Sequence, residues 1–229
     1  MTDNSSFNKK LELLKTFSAC DVADALLRLK HPLGGYLPDI VMFSPEYQSG
    51  ESKLVGPVYT VKLVPKSDTT SPKIDKSYAD TIPSGSVVFI SAPPNSVNAV
   101  WGGLMNTRAK ILGVNGVVVD GRIRDLDEIR SDGTLVFARA ASILSSKDFT
   151  RPTALNIPVT LSGNHDPPIK INPDDIILAD LNGVVCIPKD LLDQVLDSCE
   201  KYTGMDKNLK NALLEGITLT EAKSIHRKD

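Results

Sequence analysis

A strand, a helix and a second strand in the middle of the chain constrain the fold more than any other feature. Ser86 to Ser91 is a continuous apolar run typical of a buried strand, and Gly116 to Asp120 is another. Between them, Leu104 to Leu112 has helical spacing, and Gly113 suits the position just past the helix end. Because parallel strands joined by a helix cross over right-handedly, we expect the carboxyl ends of both strands at one sheet edge.

Helices are predicted at both ends of the chain, with short strands between them. From Phe7 to Leu29 the apolar residues recur at helical spacing, and Ser18 with Asp21 forms a capping signal, which predicts two helices with a break near Phe17. The segment from Pro188 to Asp229 has helical periodicity as well. Further strands are predicted at Leu54 to Val64, Leu135 to Arg139, Ile169 to Ile171, Ile176 to Ala179 and Val184 to Ile187.

Composition limits the class of protein. With 229 residues, 41% of them hydrophobic, the chain can bury a sizeable core without disulfides, and residues 1–229 read as one mixed α/β domain. A net charge of -2 with scattered Lys and Arg argues against nucleic acid or an anionic membrane as a partner. The polar N-terminus and the lack of a long apolar run predict a cytoplasmic protein. Cys20, Cys186 and Cys199 read as reduced core thiols.

The first candidate site follows the strand that ends at Ser91. There the chain reads Gly102, Gly103, Leu104 and Met105 directly before the predicted helix. Two glycines let the backbone approach a ligand closely, and the free amides of a first helical turn can hold a carboxylate or an enolate oxygen. The alternative is a plain tight turn, which is the commoner role of an isolated glycine pair.

The second candidate site follows Asp120, where charged residues crowd the segment before the next helix. Arg124 has a planar fork that matches a carboxylate, and Asp125 is a hard oxygen ligand suited to Mg²⁺ or Mn²⁺. Glu128 lies three positions on, on the same helical face, and could hold a metal-bound water. The alternative is an acidic helix N-terminus, with Arg122 and Arg124 as solvated partners.

Taken together, the two segments describe a site for a 2-oxo acid. The guanidinium would bind the carboxylate, a divalent metal would polarise the oxo group, and main-chain amides would stabilise an enolate. Retro-aldol cleavage and oxaloacetate decarboxylation both pass through the enolate of pyruvate. One site could therefore support both reactions.

These segments also resemble a known family. The runs Gly102 to Met105 and Gly113 to Asp125 are similar to those of the 4-hydroxy-4-methyl-2-oxoglutarate aldolases and the related proteins called regulator of ribonuclease activity A. The similarity extends to Cys20 to Leu26, which resembles the family's N-terminal helix, to Gly56 to Val61 and to Asp174 to Pro188. It therefore covers nearly the whole chain.

The resemblance implies a fold, an assembly and a reaction. The fold would be a single-domain layered β/β/α sandwich similar to the swivelling phosphohistidine domain, with N- and C-terminal helices. The assembly would be a homotrimer or a hexamer with sites between subunits. The reaction would be class II, metal-dependent aldol cleavage to pyruvate, with oxaloacetate decarboxylation alongside. The implied site residues are Gly102, Gly103, Leu104 and Met105 for pyruvate, Arg124 for substrate, and Asp125 with Glu128 for Mg²⁺ or Mn²⁺.

One position departs from the aldolase pattern. Bacterial aldolases of the family usually carry Asp where this chain has Gly103, whereas the ribonuclease regulators carry Gly, with an acid at the position of Glu128. If that Asp handles a proton through water, its absence affects aldol cleavage more than decarboxylation. A non-catalytic regulator that binds a ribonuclease or another protein is therefore the alternative function.

A Schiff-base aldolase is a further alternative. Lys62, within the predicted strand, would be its amine. A lysine that snorkels at a sheet edge is far commoner than a reactive one, and borohydride trapping with pyruvate would separate the two mechanisms.

Overall fold

The structure, a computed structural model, describes residues 4–226 and has a mixed α/β architecture. The helices are α1 (Asn4–Leu14), α2 (Ala19–Arg28), α3 (Gly103–Ile111), α4 (Leu126–Ser131), α5 (Leu192–Leu214) and α6 (Leu219–His226). The strands are β1 (Val41–Ser44), β2 (Leu54–Pro65), β3 (Val87–Ser91), β4 (Ala99–Trp101), β5 (Gly116–Ile123), β6 (Val136–Ala141), β7 (Thr150–Leu155), β8 (Val159–Thr160), β9 (Lys170–Ile171), β10 (Ile176–Asp180) and β11 (Gly183–Ile187).

One sheet holds most of these strands, in the order β1-β6-β5-β3-β2-β10-β11, with β4 beside β5 and β7 beside β2. Strands β2, β3, β5 and β6 run parallel to their neighbours within this group. In the pairing of β3 with β5, Ser91 lies opposite Asp120. The predicted strand-helix-strand unit, with both carboxyl ends at one edge, is therefore confirmed.

The position of β3 between two cores explains why its sequence is apolar without alternation. Val88 and Ile90 pack into one core with α3 and α4, whereas Val87 and Phe89 point to the opposite face, into a core shared with β10 and β11. Both faces of the strand are thus buried, as in other parallel sheets. The second core lies between two portions of the sheet, which gives the predicted β/β layering.

A third core lies under the terminal helices. Leu26 of α2 and Val195 of α5 pack there against Val55 and Ile176 of the sheet. The helix α2 begins at the predicted capping box, in which the Ser18 hydroxyl accepts from the main chain three residues on. The predicted terminal helices are confirmed up to His226, and the last three residues of that prediction lie outside the described residues.

Two predictions need correction. Strand β5 continues past Asp120 to Ile123, because β4, which the sequence does not reveal, pairs with its last residues and satisfies their backbone groups. Arg122 is therefore a strand residue. Among the cysteines, Cys186 and Cys199 are buried and free, but Cys20 is exposed on α2 because it lies on the polar side of that helix.

Between residues 4 and 226, none of the helices combines the length and the apolar character that crossing a membrane would require.

Candidate active site

The two segments predicted to carry chemistry meet in one pocket of about 210 Å³. Its walls come from the turn between β4 and α3 and from the turn between β5 and α4. The pocket is lined by Ala99, Val100, Trp101, Gly102, Leu104, Met105, Arg124, Asp125, Ser145 and Ser146. Four of the five predicted pyruvate and substrate residues therefore share a cavity, while Gly103 lies directly behind it.

Backbone geometry joins the two turns. The Arg124 N–H donates to the Trp101 carbonyl over 3.0 Å, which extends the pairing of β4 and β5 by one bond. Asp125 then adopts a left-handed conformation, with φ 59° and ψ 46°. Such a conformation is uncommon outside glycine but tolerated by Asp, and it is a form of local strain often found at functional sites. Here it turns the carboxylate back toward α3.

The Asp125 carboxylate bonds to the start of α3. Its Oδ2 accepts from the Gly103 N–H over 2.9 Å and lies 3.4 Å from Arg124 Nε. One of the three amides predicted to hold an enolate is thus already used. The Leu104 and Met105 amides, in the same first turn, donate to no acceptor among residues 4–226, so two remain open.

The glycine pair has a steric reason that the sequence alone does not show. A Cβ on Gly102 would come within 2.6 Å of Asp125 Oδ2, and a Cβ on Gly103 would overlap Glu128 Oε2. Neither glycine has the positive φ that would require it. The glycines are therefore needed because two carboxylates of the same chain lie against the backbone here.

The charged groups of this pocket are largely unsatisfied by the protein. The side chains of Arg124 and Asp125 are 39% and 35% exposed. In the part of the chain that the structure describes, the Arg124 guanidinium makes no hydrogen bond, and neither Asp125 Oδ1 nor the Glu128 carboxylate has a partner. These groups are available to a ligand.

The residues around this pocket suit one kind of metal site, in which a divalent cation has few protein ligands. Nowhere between residues 4 and 226 do three or more His, Cys, Asp or Glu side chains group as a metal site. Two carboxylates, Asp125 and Glu128, do converge on Gly103. Mg²⁺ commonly binds through one or two carboxylates and keeps several waters, so the donor set suits that ion better than one needing a full protein cage.

Buried polar side chains support the glycine turn from below, and sequence reasoning missed them. The Tyr78 hydroxyl donates to the Val100 carbonyl over 2.8 Å and lies 3.4 Å from the Met105 sulfur. Burial raises the pKa of this hydroxyl well above its usual value, so it remains a donor. On α3, the fully buried Asn106 accepts from Trp101 Nε1 over 3.5 Å. Both contacts join β4 to α3.

Lys62, the candidate Schiff-base amine, lies elsewhere. It is exposed on β2, between Ser91 of β3 and Ala154 of β7. It does not line the pocket that holds Arg124 and Asp125. The geometry gives no support to an imine mechanism in that pocket.

A larger cavity, of about 570 Å³, lies against the carboxyl-terminal parts of β5 and β6 and the loop that follows β3. Its floor carries Asp120, whose side chain is fully buried and accepts from Arg139 Nε over 2.5 Å and from the Ser162 N–H over 2.6 Å. The Ser162 hydroxyl also donates to it, over 2.7 Å. Sequence reasoning placed Asp120 at this edge but did not assign it a partner.

Comparison with known proteins gives consistent results. A family model described as RraA-like, Aldolase/RraA, matches residues 19–186. "Protein DlpA" of Legionella pneumophila is 30% identical over 93% of this chain, which spans only 31% of that protein's length. A Halalkalibacterium halodurans protein named "Putative 4-hydroxy-4-methyl-2-oxoglutarate aldolase" is 31% identical over 76% of this chain and 80% of its own.

Among solved structures, an uncharacterized protein from Pseudomonas syringae pv. tomato superposes with a TM-score of 0.79 at 27% identity. The match covers 94% of this chain and 97% of that one. The architecture is therefore that of a known fold over nearly its full length.

Proposed function

Since the chain belongs to the RraA-like family, as the resemblance predicted, we propose that it is a divalent-metal-dependent lyase that produces pyruvate. Its reactions would be cleavage of 4-hydroxy-4-methyl-2-oxoglutarate and decarboxylation of oxaloacetate. The observation that carries this proposal is the single pocket shared by the Gly102 turn, Arg124 and Asp125. Aldolase names among relatives at about 30% identity support a lyase.

Arg124 is the proposed anchor for the substrate carboxylate. Arg124 lines the pocket, its side chain is 39% exposed, and its Nε lies 3.4 Å from Asp125 Oδ2. The fork of Nη donors therefore remains free for a bidentate contact with a planar carboxylate. Lysine, which presents a single ammonium, could not reproduce that geometry.

The start of α3 is the proposed site of enolate stabilisation. When a carbon-carbon bond at C3 of a 2-oxo acid breaks, its electron pair moves into an enolate and negative charge grows on the C2 oxygen. The open Leu104 and Met105 amides point from the positive end of a helix and need no rearrangement to receive that charge. The amide of Gly103 instead fixes Asp125.

Asp125 and Glu128 are the residues proposed to hold Mg²⁺ or Mn²⁺. Both carboxylates lie against Gly103, and Asp125 Oδ1 is open among the described residues. A bound divalent cation supplies Lewis-acid polarisation of the substrate's oxo group. The Gly103 N–H orients the Asp125 carboxylate for that task, in the way that second-shell donors commonly do.

A homotrimer or hexamer is the proposed assembly. Leu104 and Ile143 are 88% and 92% exposed, and Leu144 is also exposed beside Ser145 of the pocket wall. Large apolar side chains so close to a polar pocket fit a subunit interface better than free solvent. This supports the expectation, drawn from the family resemblance, of sites between subunits.

A non-catalytic regulator that binds a ribonuclease or another protein is the second candidate. The family description itself includes RraA, and Gly103 agrees with the regulator pattern. This candidate predicts that no 2-oxo acid is turned over. It also predicts that the open charges around Arg124 serve no substrate.

Pyruvate formation coupled to lactate dehydrogenase separates the two candidates. The purified chain is given oxaloacetate or 4-hydroxy-4-methyl-2-oxoglutarate with Mg²⁺, and then excess chelator, with the enzyme-free rate subtracted throughout. Turnover of either substrate that disappears with chelator and returns with Mg²⁺ supports the lyase. If pyruvate forms no faster with the protein than without it, for both substrates and under all conditions, the lyase proposal is refuted.

A further inference from the structure

The 570 Å³ cavity is a second place where a small molecule could bind. It is lined by the loop that follows β3, by the carboxyl-terminal parts of β5 and β6, and by residues 162–164. Ligands of open α/β folds collect outside the carboxyl ends of parallel strands, and the volume is within the usual range for small-molecule sites. The pocket proposed for pyruvate has less than half that volume.

One charged pair in this cavity is already satisfied. Arg139 bonds to buried Asp120, reaches Asp39 at 3.2 Å with Nη1, and donates to the Ser162 carbonyl over 2.9 Å with Nη2. All three of its nitrogens are thus engaged by the protein. This pair forms the floor of the cavity and offers little to a ligand.

Arg122 differs from Arg139, because main-chain carbonyls hold it in place and no carboxylate neutralises its charge. Its Nε donates to the Ser96 carbonyl over 3.3 Å and its Nη1 to the Ala141 carbonyl over 3.1 Å. No carboxylate of the described chain lies within ion-pair distance of it. Main-chain carbonyls orient the guanidinium but do not neutralise it, and Arg122 lines the cavity with Nη2 unbonded among the described residues.

Two amides complete the polar walls. Asn95 and Asn164 are exposed residues that line the cavity, and their side-chain amides bond to no other described residue. Asn95 has a left-handed backbone, with φ 61°, which Asn tolerates better than most residues. An amide can donate to a carboxylate and also accept from a hydroxyl.

We propose that this cavity binds a small hydroxylated carboxylate through Arg122, independently of the pyruvate pocket. One uncompensated guanidinium matches one carboxylate, and the two amides match hydroxyl groups on the same molecule. The site lies on the same strand as the lyase pocket, since Arg122 precedes Arg124 by two residues. It goes beyond the proposed reaction and does not depend on it.

The test compares glycerate with glycerol, which is matched in size but carries no charge. Binding is measured by calorimetry at constant ionic strength in an Arg124→Gln protein, which removes the proposed carboxylate anchor of the pyruvate pocket. Glycerate should bind, glycerol should not, and adding Arg122→Gln should weaken glycerate binding about tenfold or more, as expected for a charge-assisted hydrogen bond. Equal binding of both compounds, or binding unaffected by Arg122→Gln, overturns the proposal.

Because Arg122 also anchors two loops, a second variant leaves it in place. Asn95→Asp adds a carboxylate to the wall at a position whose left-handed backbone Asp accepts as readily as Asn. It should abolish glycerate binding in the Arg124→Gln protein with no loss of helical circular dichroism. Retained affinity would contradict the site. Since no turnover is measured, a failure of the lyase proposal would not affect either result.

Discussion

Two Asp–Arg pairs lie close together in this chain and differ in what they can do. Asp120 is fully buried and receives three hydrogen bonds, from Arg139 and Ser162. Asp125 is 35% exposed, receives one main-chain bond and touches Arg124 at 3.4 Å. A saturated buried pair holds elements together, whereas an open, loosely paired one has capacity left for a ligand.

The comparison teaches that cavity size alone does not decide where the proposed reaction would take place. The larger cavity contains the saturated pair, and the smaller one contains the open pair. What distinguishes the smaller pocket is that Asp125 is oriented by the Gly103 N–H at a helix N-terminus and is paired only loosely with Arg124. This is the arrangement needed to bind a cation and an anionic substrate in the same place.

Breaking the buried pair should have the largest effect on stability. Asp120→Ala removes a fully buried carboxylate that receives three hydrogen bonds from Arg139 and Ser162, which should cost about 3–5 kcal/mol in the free energy of unfolding. Asp125→Ala, at a partly exposed pair, should cost about 1 kcal/mol or less. Urea denaturation of both variants measures the difference. Equal losses in the free energy of unfolding would show that the two pairs contribute alike to stability.

Gly103→Ala should act on the proposed metal site beside the open pair without unfolding the protein. Its methyl group takes the space of the Glu128 carboxylate, and that flexible, exposed side chain can swing away at little cost. We expect Mg²⁺ affinity to fall about tenfold, the lower end of the usual effect of disturbing a metal's surroundings. Calorimetric titration with Mg²⁺ measures this.

A double-mutant cycle sharpens the result. If Gly103→Ala acts by displacing Glu128, then Gly103→Ala combined with Glu128→Ala should weaken Mg²⁺ binding no further than Glu128→Ala alone. Fully additive losses would mean that the two positions act separately, and that Glu128 does not take part in the site as proposed.

Tyr78→Phe should have the smallest effect. Only the hydroxyl that bonds to the Val100 carbonyl is lost, which costs about 1 kcal/mol in stability. Because the bond supports the glycine turn, KM for oxaloacetate should rise a few-fold. Tyr59→Phe is the matched control, since the Tyr59 hydroxyl bonds to Thr81, away from the pocket. A KM rise in both variants would indicate general loosening of the core.

The sequence predicts the central fold well because burial there is extreme. Val88 and Phe89 are both fully buried, on opposite faces, so the apolar run of β3 is unambiguous. The three-residue strand β4 has no such signal, since its structure depends on pairing with the distant end of β5. Long-range pairing of that kind is set by tertiary structure and not by local pattern.

The candidate site was predicted in part. The two turns follow adjacent strands, so their meeting could be expected from topology. The sequence could not show that the Gly103 amide is occupied by Asp125, or that the Glu128 carboxylate fills the space beside Gly103. Support from Tyr78 was also hidden, because its segment is polar and lies outside the recognised runs. Each of these facts depends on side-chain positions in three dimensions.

Activity of Asp125→Ala tests the central claim most directly. Asp127→Ala is the matched control, because Asp127 is an exposed acid on the same helix that does not line the pocket. Chelator-sensitive pyruvate formation from oxaloacetate should be abolished by Asp125→Ala and retained by Asp127→Ala, while Arg124→Ala should mainly raise KM. A fully active Asp125→Ala enzyme would contradict the account.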